Sequence, residues 1–370
     1  MIAIVLKFDG NIEQKKYYLM HKDIVIMEFD FKEKTVEIKN SKLMPFYLKN
    51  SKDILIDLRE WLVKRTLPLS RKNADFMYMM LGKPRDRSGA LEIALEYGAL
   101  SLFDPYWIKK VDSNINYDDV NLYKKDWDRI FGLIAITGSR NITSLEKLSP
   151  ELTLNGSWAK CLIKEDGEMY LLKASTDEEL KDIEAELTVS KLLEKLNIPH
   201  AAYESVEYEE VYCSKTKILT TEDKHWVSAD EFIDFSGCSN LFEMGVKFGG
   251  DNFLKMVICD YITGNIDRHY QNWAFEYDDQ NEIKGLSPIF DFNFAFAGTV
   301  ERKSQFGIDN TDFEVALYII DTYHMEPFFE EVKEAVRTIE VIEWHKNYML
   351  NRILKLEAGL ESLKKEDAAQ

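Results

Sequence analysis

The feature that most constrains this 370-residue chain is a long apolar helical pattern that stops at a glycine and leads into a short polar loop. The pattern begins after Gly249-Gly250, where Asp251 provides an N-cap, and its apolar stripe runs from Phe253 to Ile262. Gly264 ends it, because glycine readily adopts the left-handed conformation that terminates helices. We therefore predict a buried helix that feeds a loop, a position suited to catalytic residues because a rigid element holds it.

The loop itself, Gly264-Asn-Ile-Asp-Arg-His-Tyr-Gln-Asn272, contains an Asp and an Asn five residues apart. Phosphoryl transfer in protein kinases uses this spacing, since one loop must point an Asp at the acceptor hydroxyl and an Asn at the metal. Asp260 and Asn265 share the spacing, so spacing alone is ambiguous. Asp260 lies inside the helix, where a side chain more often braces the loop. Asp267 and Asn272 lie beyond the helix end and are the pair that fits the chemistry.

Two further residues near this loop are candidates. After the loop, Trp273 to Tyr277 and Ile283 to Phe290 predict a hairpin, and Asp291 follows it, where kinases place the Asp that binds magnesium. The alternative for Asp291 is an Asx-turn at a strand end. His269 is a candidate general base, but a histidine flanked by an arginine and a tyrosine more often braces a loop, and we favour the brace.

Candidates for phosphate contact lie earlier in the chain. Two short apolar runs around an Asp-Gly turn predict a hairpin that ends at Lys173, where kinases place a phosphate-binding lysine. The loop before the hairpin is Asn155-Gly-Ser-Trp-Ala-Lys160. Gly156 would let the backbone approach phosphates, and Ser157 and Lys160 would add donors. Because this loop matches neither common glycine-rich sequence, a tight hairpin turn explains it equally well.

The helix predicted after Lys173 should supply the carboxylate partner of that lysine. Its start is predicted from Thr176 and Glu179, which have the spacing of a capping box. Glu186 lies at the edge of the apolar face and is preferred over Glu184 as the partner. The alternative for Glu186 is a solvated helix face.

Composition sets limits on the class of protein. Hydrophobic residues make up 45% of the chain, which predicts folded cores rather than disorder. The net charge of −18 and the lack of a basic patch disfavour direct nucleic-acid binding. No apolar run approaches the ~18 residues that span a bilayer, and Met1 to Asp9 has the pattern of a strand rather than a secretory signal. The four cysteines are far apart, which disfavours a zinc site or a disulfide framework. These features together predict a cytoplasmic protein without membrane association.

Periodicity divides the chain into three parts. Residues 1 to about 40 alternate like a small sheet, helical spacing follows, and a polar stretch from Asp112 to Asp128 separates this part from the rest. We predict an α+β fold with an N-terminal accessory domain over 1–130, a strand-rich part over 131–222 and a mainly helical part over 223–370.

Three pairs of segments have a familiar sequence pattern: Ile262–Asn272 with Ser287–Asp291, Ser149–Gly156 with Tyr170–Lys173, and Arg59–Arg65 with Leu100–Ile108. In these segments the chain resembles HipA-like serine/threonine kinases. The resemblance implies a two-lobed protein-kinase-like fold, with a small lobe over 131–222 and a helical large lobe over 223–370, that binds ATP and Mg²⁺ between the lobes. It further implies that Asp267 is the catalytic base, that Asn272 and Asp291 bind magnesium and that Lys173 contacts phosphate.

The resemblance also suggests biology. Several members of that family are toxins that phosphorylate a serine in a translation enzyme, and a partner antitoxin restrains them, sometimes through DNA. The family autophosphorylates near the phosphate loop, and Ser157 is the candidate here. We therefore expect a protein kinase with a protein substrate, an antitoxin-like partner and no direct nucleic-acid contact. Two alternatives remain open: a small-molecule phosphotransferase of the same fold, and a non-catalytic module that binds a nucleotide or a partner.

Overall fold

The computed structural model describes residues 16–125, 127, 129–138, 154, 156–298 and 302–367. The chain forms two compact units. Unit 1 comprises Met1–Ala174, Val206–Val227 and Tyr277–Glu282, and unit 2 comprises Ser175–Ser205, Ser228–Glu276 and Ile283–Gln370. The strand predicted at the start of the chain and the run at 151–153 lie outside the described residues. The three-part division by sequence stays a prediction.

The first part of unit 1 is a four-stranded antiparallel sheet with the order β3-β2-β1-β4, covered by helices. Its elements are β1 (Tyr17–His21), β2 (Ile24–Asp30), β3 (Thr35–Ile38), α1 (Phe46–Lys49), α2 (Ile54–Lys64), α3 (Ala74–Met80), α4 (Arg87–Tyr97) and β4 (Tyr106–Lys110). Apolar residues of β1 and β2 pack against α2 and α4 around Trp61. The predicted sheet with an attached helical cluster is confirmed.

A second four-stranded sheet has the order β5-β6-β8-β7. Its strands are β5 (Lys160–Glu165), β6 (Glu168–Ala174), β7 (Tyr203–Tyr208) and β8 (Val211–Lys217), and nearby elements are α5 (Tyr117–Val120), α6 (Arg129–Thr137) and β9 (His225–Ser228). The turn between β5 and β6 has positive φ at Asp166 and Gly167, as a two-residue hairpin requires. The predicted hairpin is confirmed. Its register pairs Lys160 with Lys173.

Helix α7 (Lys181–Lys195) begins later than the sequence predicts. Leu180, with φ 56°, precedes it, so Thr176 is not an N-cap and the predicted capping box is wrong. Asp182 explains the difference, because its buried carboxylate accepts hydrogen bonds from the Thr176 amide (2.8 Å) and the Ser175 hydroxyl (2.7 Å). The segment 175–180 therefore forms a turn held from inside the helix.

The rest of unit 2 is mainly helical. Its elements are α8 (Ala229–Ser236), α9 (Leu241–Thr263), β10 (Ala274–Tyr277), β11 (Ile283–Leu286), α10 (Asp312–Thr322), α11 (Glu326–Thr338) and α12 (Glu343–Asp367). Helix α9 is interrupted at Gly250 (φ 54°), so the predicted buried helix forms its second half; Gly250 and not Asp251 takes the cap position, because Asp251 is already helical. That half is buried on nearly all sides, and β10 pairs with β11 in the predicted hairpin. None of the helices in the described ranges is long and apolar enough to cross a membrane.

Candidate active site

The candidate site begins where α9 ends. Gly264 adopts the left-handed conformation (φ 63°) and donates its amide to the carbonyls of the last helical turn. A Cβ atom at this position would lie 2.0 Å from the Tyr348 hydroxyl oxygen. Both the backbone conformation and the packing therefore require glycine here. The predicted helix stop at Gly264 is confirmed.

A buried ion pair braces the loop that follows. Arg268 is 3% exposed and donates to both oxygens of Asp260, at 2.8 and 3.1 Å. The Asn265 side chain donates to the same carboxylate at 2.9 Å. Asp260 and Asn265 are thus hydrogen-bonded to each other inside the brace, which confirms the prediction that Asp260 supports the loop.

Asp267 and Asn272, the pair selected from sequence, are in direct contact. The Asn272 side-chain amide donates to the backbone carbonyl of Asp267 at 2.8 Å and to its carboxylate at 3.2 Å. Asn272 is buried and Asp267 half-buried. Burial, together with the charge of Asp291, raises the pKa of Asp267 above its usual range, while His269 and Asn272 act in the opposite direction.

His269 lies beside this pair. Its Nδ1 accepts a hydrogen bond from the Gln271 amide at 3.1 Å, so neutral His269 carries its proton on Nε2. That Nε2 lies 3.8 Å from the nearer oxygen of Asp267. A ring with one nitrogen engaged by the loop backbone and a proton on the other suits a brace better than a base toward Asp267.

Asp291 lies close enough for its charge to act on Asp267. Its backbone is left-handed (φ 64°), and its amide donates to the Tyr203 hydroxyl at 3.1 Å. The ring of Tyr203 packs edge-on against Phe292, at 5.9 Å between centroids. Arg268 connects this segment to the loop, because one guanidinium nitrogen donates to the carbonyls of both Asn272 (2.5 Å) and Phe290 (2.6 Å).

Unit 1 contains a second group of predicted residues. Lys160 and Lys173 are paired across β5 and β6, so their side chains project from the same face, and both are at least nine-tenths buried. Gly156 has φ 97°, and a Cβ there would lie 2.5 Å from Lys160 Nζ. Ser157 is exposed next to it. The loop and the two lysines thus form one cluster.

The structure brings Asp267, His269, Asn272 and Asp291 together in unit 2, and Gly156, Ser157, Lys160 and Lys173 in unit 1. Glu186, on α7, is 1% exposed, which rules out the solvated helix face that was its alternative.

Sequence reasoning missed the residues that hold these groups in place. Tyr203 has no local signal, since it contacts Asp291 across 88 positions. The carbonyl of Ile266 accepts from Arg302 (3.1 Å) and from Gln305 (2.6 Å), again from distant chain. Arg268 could have been found, because an arginine between the candidate Asp and its Asn partner is well placed for bracing.

The donor set fits a magnesium ion. Mg²⁺ prefers oxygen ligands, and Asp291 offers a carboxylate. Because the Asn272 Nδ2 is engaged by Asp267, the Oδ1 atom of that amide points the other way and is oriented as a ligand. The charge repulsion between Asp267 and Asp291 is also what a cation would relieve.

Comparison with known proteins bears on the fold of the chain. No protein-family model and no curated protein matches the chain. Among solved structures the chain is similar to the Shewanella oneidensis MR-1 toxin–antitoxin complex of HipA, HipB and operator DNA, with a TM-score of 0.57 and 13% identity over 94% of this chain and 97% of that chain. A Helicobacter pylori proinflammatory kinase, CtkA, matches 57% of this chain and 95% of its own, with a TM-score of 0.41 and 14% identity. The chain has a HipA-like kinase fold, and the fold predicted from sequence is confirmed.

Proposed function

We propose that this chain is an ATP- and Mg²⁺-dependent serine/threonine protein kinase. The observation that carries the proposal is the loop in which the Asn272 amide orients the Asp267 carboxylate while Asp291 lies alongside. Kinase catalysis needs these three side chains, because one must accept a proton while the other two hold the metal. The fold supports the same reading.

In the proposed reaction, Asp267 accepts the proton of a serine or threonine hydroxyl while the hydroxyl oxygen bonds to the γ-phosphorus of ATP. The bond from that phosphorus to the β–γ bridging oxygen breaks, and ADP leaves. When bound, Mg²⁺ would neutralise charge on the phosphates. Asn272 holds Asp267 in one orientation, so the carboxylate needs little reorganisation during the step.

The cluster in unit 1 supports phosphate binding. Two buried lysines on one face of a hairpin concentrate positive charge there, and Gly156 allows an ammonium group to lie against the loop backbone. We propose that Lys173 and Lys160 contact the phosphates of ATP.

The first test is phosphate transfer by the purified protein. With Mg-ATP and a cell lysate, intact mass and phosphosite mapping should show transfer by the wild type, and Asp267→Asn should reduce the rate by about 10²-fold or more. The control is Asp321→Asn, an exposed carboxylate on α10. If Asp267→Asn keeps the rate of the control, the assignment of the centre is wrong.

The same assay separates the alternatives. Transfer to small molecules such as aminoglycosides but to no protein would favour a small-molecule phosphotransferase. Binding of Mg-ATP with no transfer to any acceptor would favour a non-catalytic module. Phosphate on Ser157 in the protein incubated alone would support autophosphorylation, for which the exposure of this side chain is favourable.

We further propose a toxin-like regulator with an antitoxin-like partner, because the solved HipA structure contains HipB and operator DNA. The partner should be a protein, since the charge of −18 disfavours direct contact with DNA. Affinity purification from the source cells, followed by mass spectrometry, tests this. Recovery of the chain without a stoichiometric partner would count against it.

A further inference from the structure

The short segment between α2 and α3 contacts the loop that carries Gly156 and Ser157, and both belong to unit 1. Arg71 is 2% exposed and donates to the carbonyls of Gly156 (3.3 Å) and Leu154. The Lys72 amide donates to the Ser157 carbonyl at 2.8 Å, and the hydroxyl oxygens of Ser70 and Ser157 lie 3.4 Å apart. Two consecutive residues, Arg71 and Lys72, thus hold the backbone of the loop, and Ser70 contacts one of its side chains.

The segment is itself firmly held. The Arg71 amide donates to the Pro68 carbonyl and the Arg71 carbonyl accepts from Ala74, so the chain turns tightly into α3. Asn73 donates from its side chain to the Ala135 carbonyl at 3.2 Å, which ties the segment to α6. Arg71 therefore presents its guanidinium from a fixed base rather than from a free loop.

Holding the carbonyls of this loop has a consequence for its amides. The C=O and N–H groups of one trans peptide unit point in opposite directions. Because the Gly156 carbonyl points at Arg71 and the Ser157 carbonyl at Lys72, the N–H groups of Ser157 and Trp158 point away from the segment. Successive N–H groups pointing the same way form a phosphate-binding arrangement.

We propose that Arg71 is a positioning residue that fixes the phosphate-covering loop, so that the amides of Ser157 and Trp158 bind the nucleotide phosphates. The proposal rests on the proposed kinase function and assigns a role to the N-terminal accessory region. Arg71 acts through the loop backbone and does not touch the nucleotide. Lysine cannot replace it fully, because one ammonium group lacks the planar fork that reaches two carbonyls.

The test is binding of Mg-ATP by the full chain, measured by calorimetry, together with the thermal unfolding temperature. We expect Arg71→Met to raise the Kd by about tenfold or more and Arg71→Lys to raise it by an intermediate amount. The matched control is Arg65→Met, since Arg65 is also buried in unit 1 and donates to the carbonyls of Ala99 and Tyr106. It should lower the unfolding temperature and leave the Kd within about twofold.

A second measurement needs no variant. In wild-type protein, Mg-ATP should slow hydrogen exchange at the amides of Ser157 and Trp158. The proposal is overturned if these amides exchange at the same rate with and without Mg-ATP, if the Arg71 variants bind like wild type, or if Arg65→Met weakens binding equally. Wild type that binds Mg-ATP but transfers no phosphate would contradict only the proposed kinase activity, because the role of Arg71 is tested by Mg-ATP binding. Wild type that does not bind Mg-ATP would overturn both.

Discussion

Arg268 helps to fix the shape of the loop that follows α9. It is buried, paired with Asp260 through two hydrogen bonds, and bonded to the carbonyls of Asn272 and Phe290. Removing one partner leaves a buried charge without compensation, so Asp260→Ala should lower the free energy of unfolding by about 3–5 kcal/mol in urea titrations. The matched control is Asp309→Ala, since Asp309 pairs with Lys303 in full exposure. This substitution should leave the free energy of unfolding nearly unchanged, and equal losses in the two variants would contradict the proposed brace.

His21 makes a prediction about acid stability. It lies on β1, is 2% exposed, and neither ring nitrogen is hydrogen-bonded to another residue in the described part of the chain. Burial lowers its pKa to about 4, with His225 and Lys22 acting in the same direction and Asp279 against them. The folded protein therefore binds fewer protons than the unfolded chain, and stability falls as the pH drops from about 6.5 toward 4.

The corresponding experiment is urea unfolding of His21→Leu at pH 7 and pH 5. At pH 5 the buried neutral histidine costs about 2 kcal/mol relative to pH 7, so the variant should lose less stability on acidification than wild type does. His324→Asn is the control, because His324 is exposed. A wild-type-like acid loss in His21→Leu would show that His21 is not the group responsible.

At the scale of single residues, the sequence predicts the candidate site residues better than it predicts the residues that hold them in place. Gly264 is a local signal that marks the end of the helix. It therefore allowed the pair beyond the helix end, Asp267 and Asn272, to be chosen over the pair with the same spacing, Asp260 and Asn265. The contact of Tyr203 with Asp291 could not be predicted, since nothing local connects two positions 88 apart. Long-range contacts depend on the whole fold, which periodicity alone does not specify.

At the scale of elements, the start of α7 gives a direct comparison between two caps. Asp182, inside the helix, accepts from the Thr176 amide and the Ser175 hydroxyl, whereas Thr176 caps nothing. Asp182→Ala should therefore lower the free energy of unfolding by about 2 kcal/mol, because it removes two hydrogen bonds to a buried carboxylate. Thr176→Ala should cost about 0.5 kcal/mol or less by the same chemical denaturation assay. A larger loss of stability for Thr176→Ala than for Asp182→Ala would support Thr176 as the N-cap, as the sequence predicts.

The hairpin turn between β5 and β6 could be predicted from the local sequence, whereas the first residue of α7 could not. An Asp-Gly pair at 166–167 has few alternatives to a turn with positive φ, so the local sequence decides. At the start of α7, Thr176 and Glu179 offer a capping box, but Asp182 accepts from the Thr176 amide and Asp177 accepts from the Glu179 amide. When two local solutions compete, tertiary packing selects between them.

At the scale of the whole molecule, the two units are assembled from alternating stretches of chain. The turn after β10 belongs to unit 1, where Asn281 accepts from the Tyr106 hydroxyl (3.0 Å) and donates to the Met44 carbonyl (2.9 Å). Lys22 forms an ion pair with Asp279 in the same turn at 2.5 Å. No sequence pattern predicts that a turn near residue 280 joins strands near residues 20 and 106.

The charge of the chain is divided as unevenly as the chain itself. Unit 1 has 33 acidic and 31 basic residues, whereas unit 2 has 32 acidic and only 16 basic residues. Nearly all of the net charge of −18 therefore belongs to unit 2, and unit 1 is close to neutral. Neither unit has the excess of positive charge that binds a phosphate backbone through counterion release.

We expect the chain alone to leave the anisotropy of a labelled DNA duplex unchanged at 150 mM salt. A mixture of the chain with a basic protein partner, tested in parallel, shows whether DNA contact requires that partner. An anisotropy increase by the chain alone that weakens as salt is raised would contradict this expectation and would point to a local basic surface that the totals conceal.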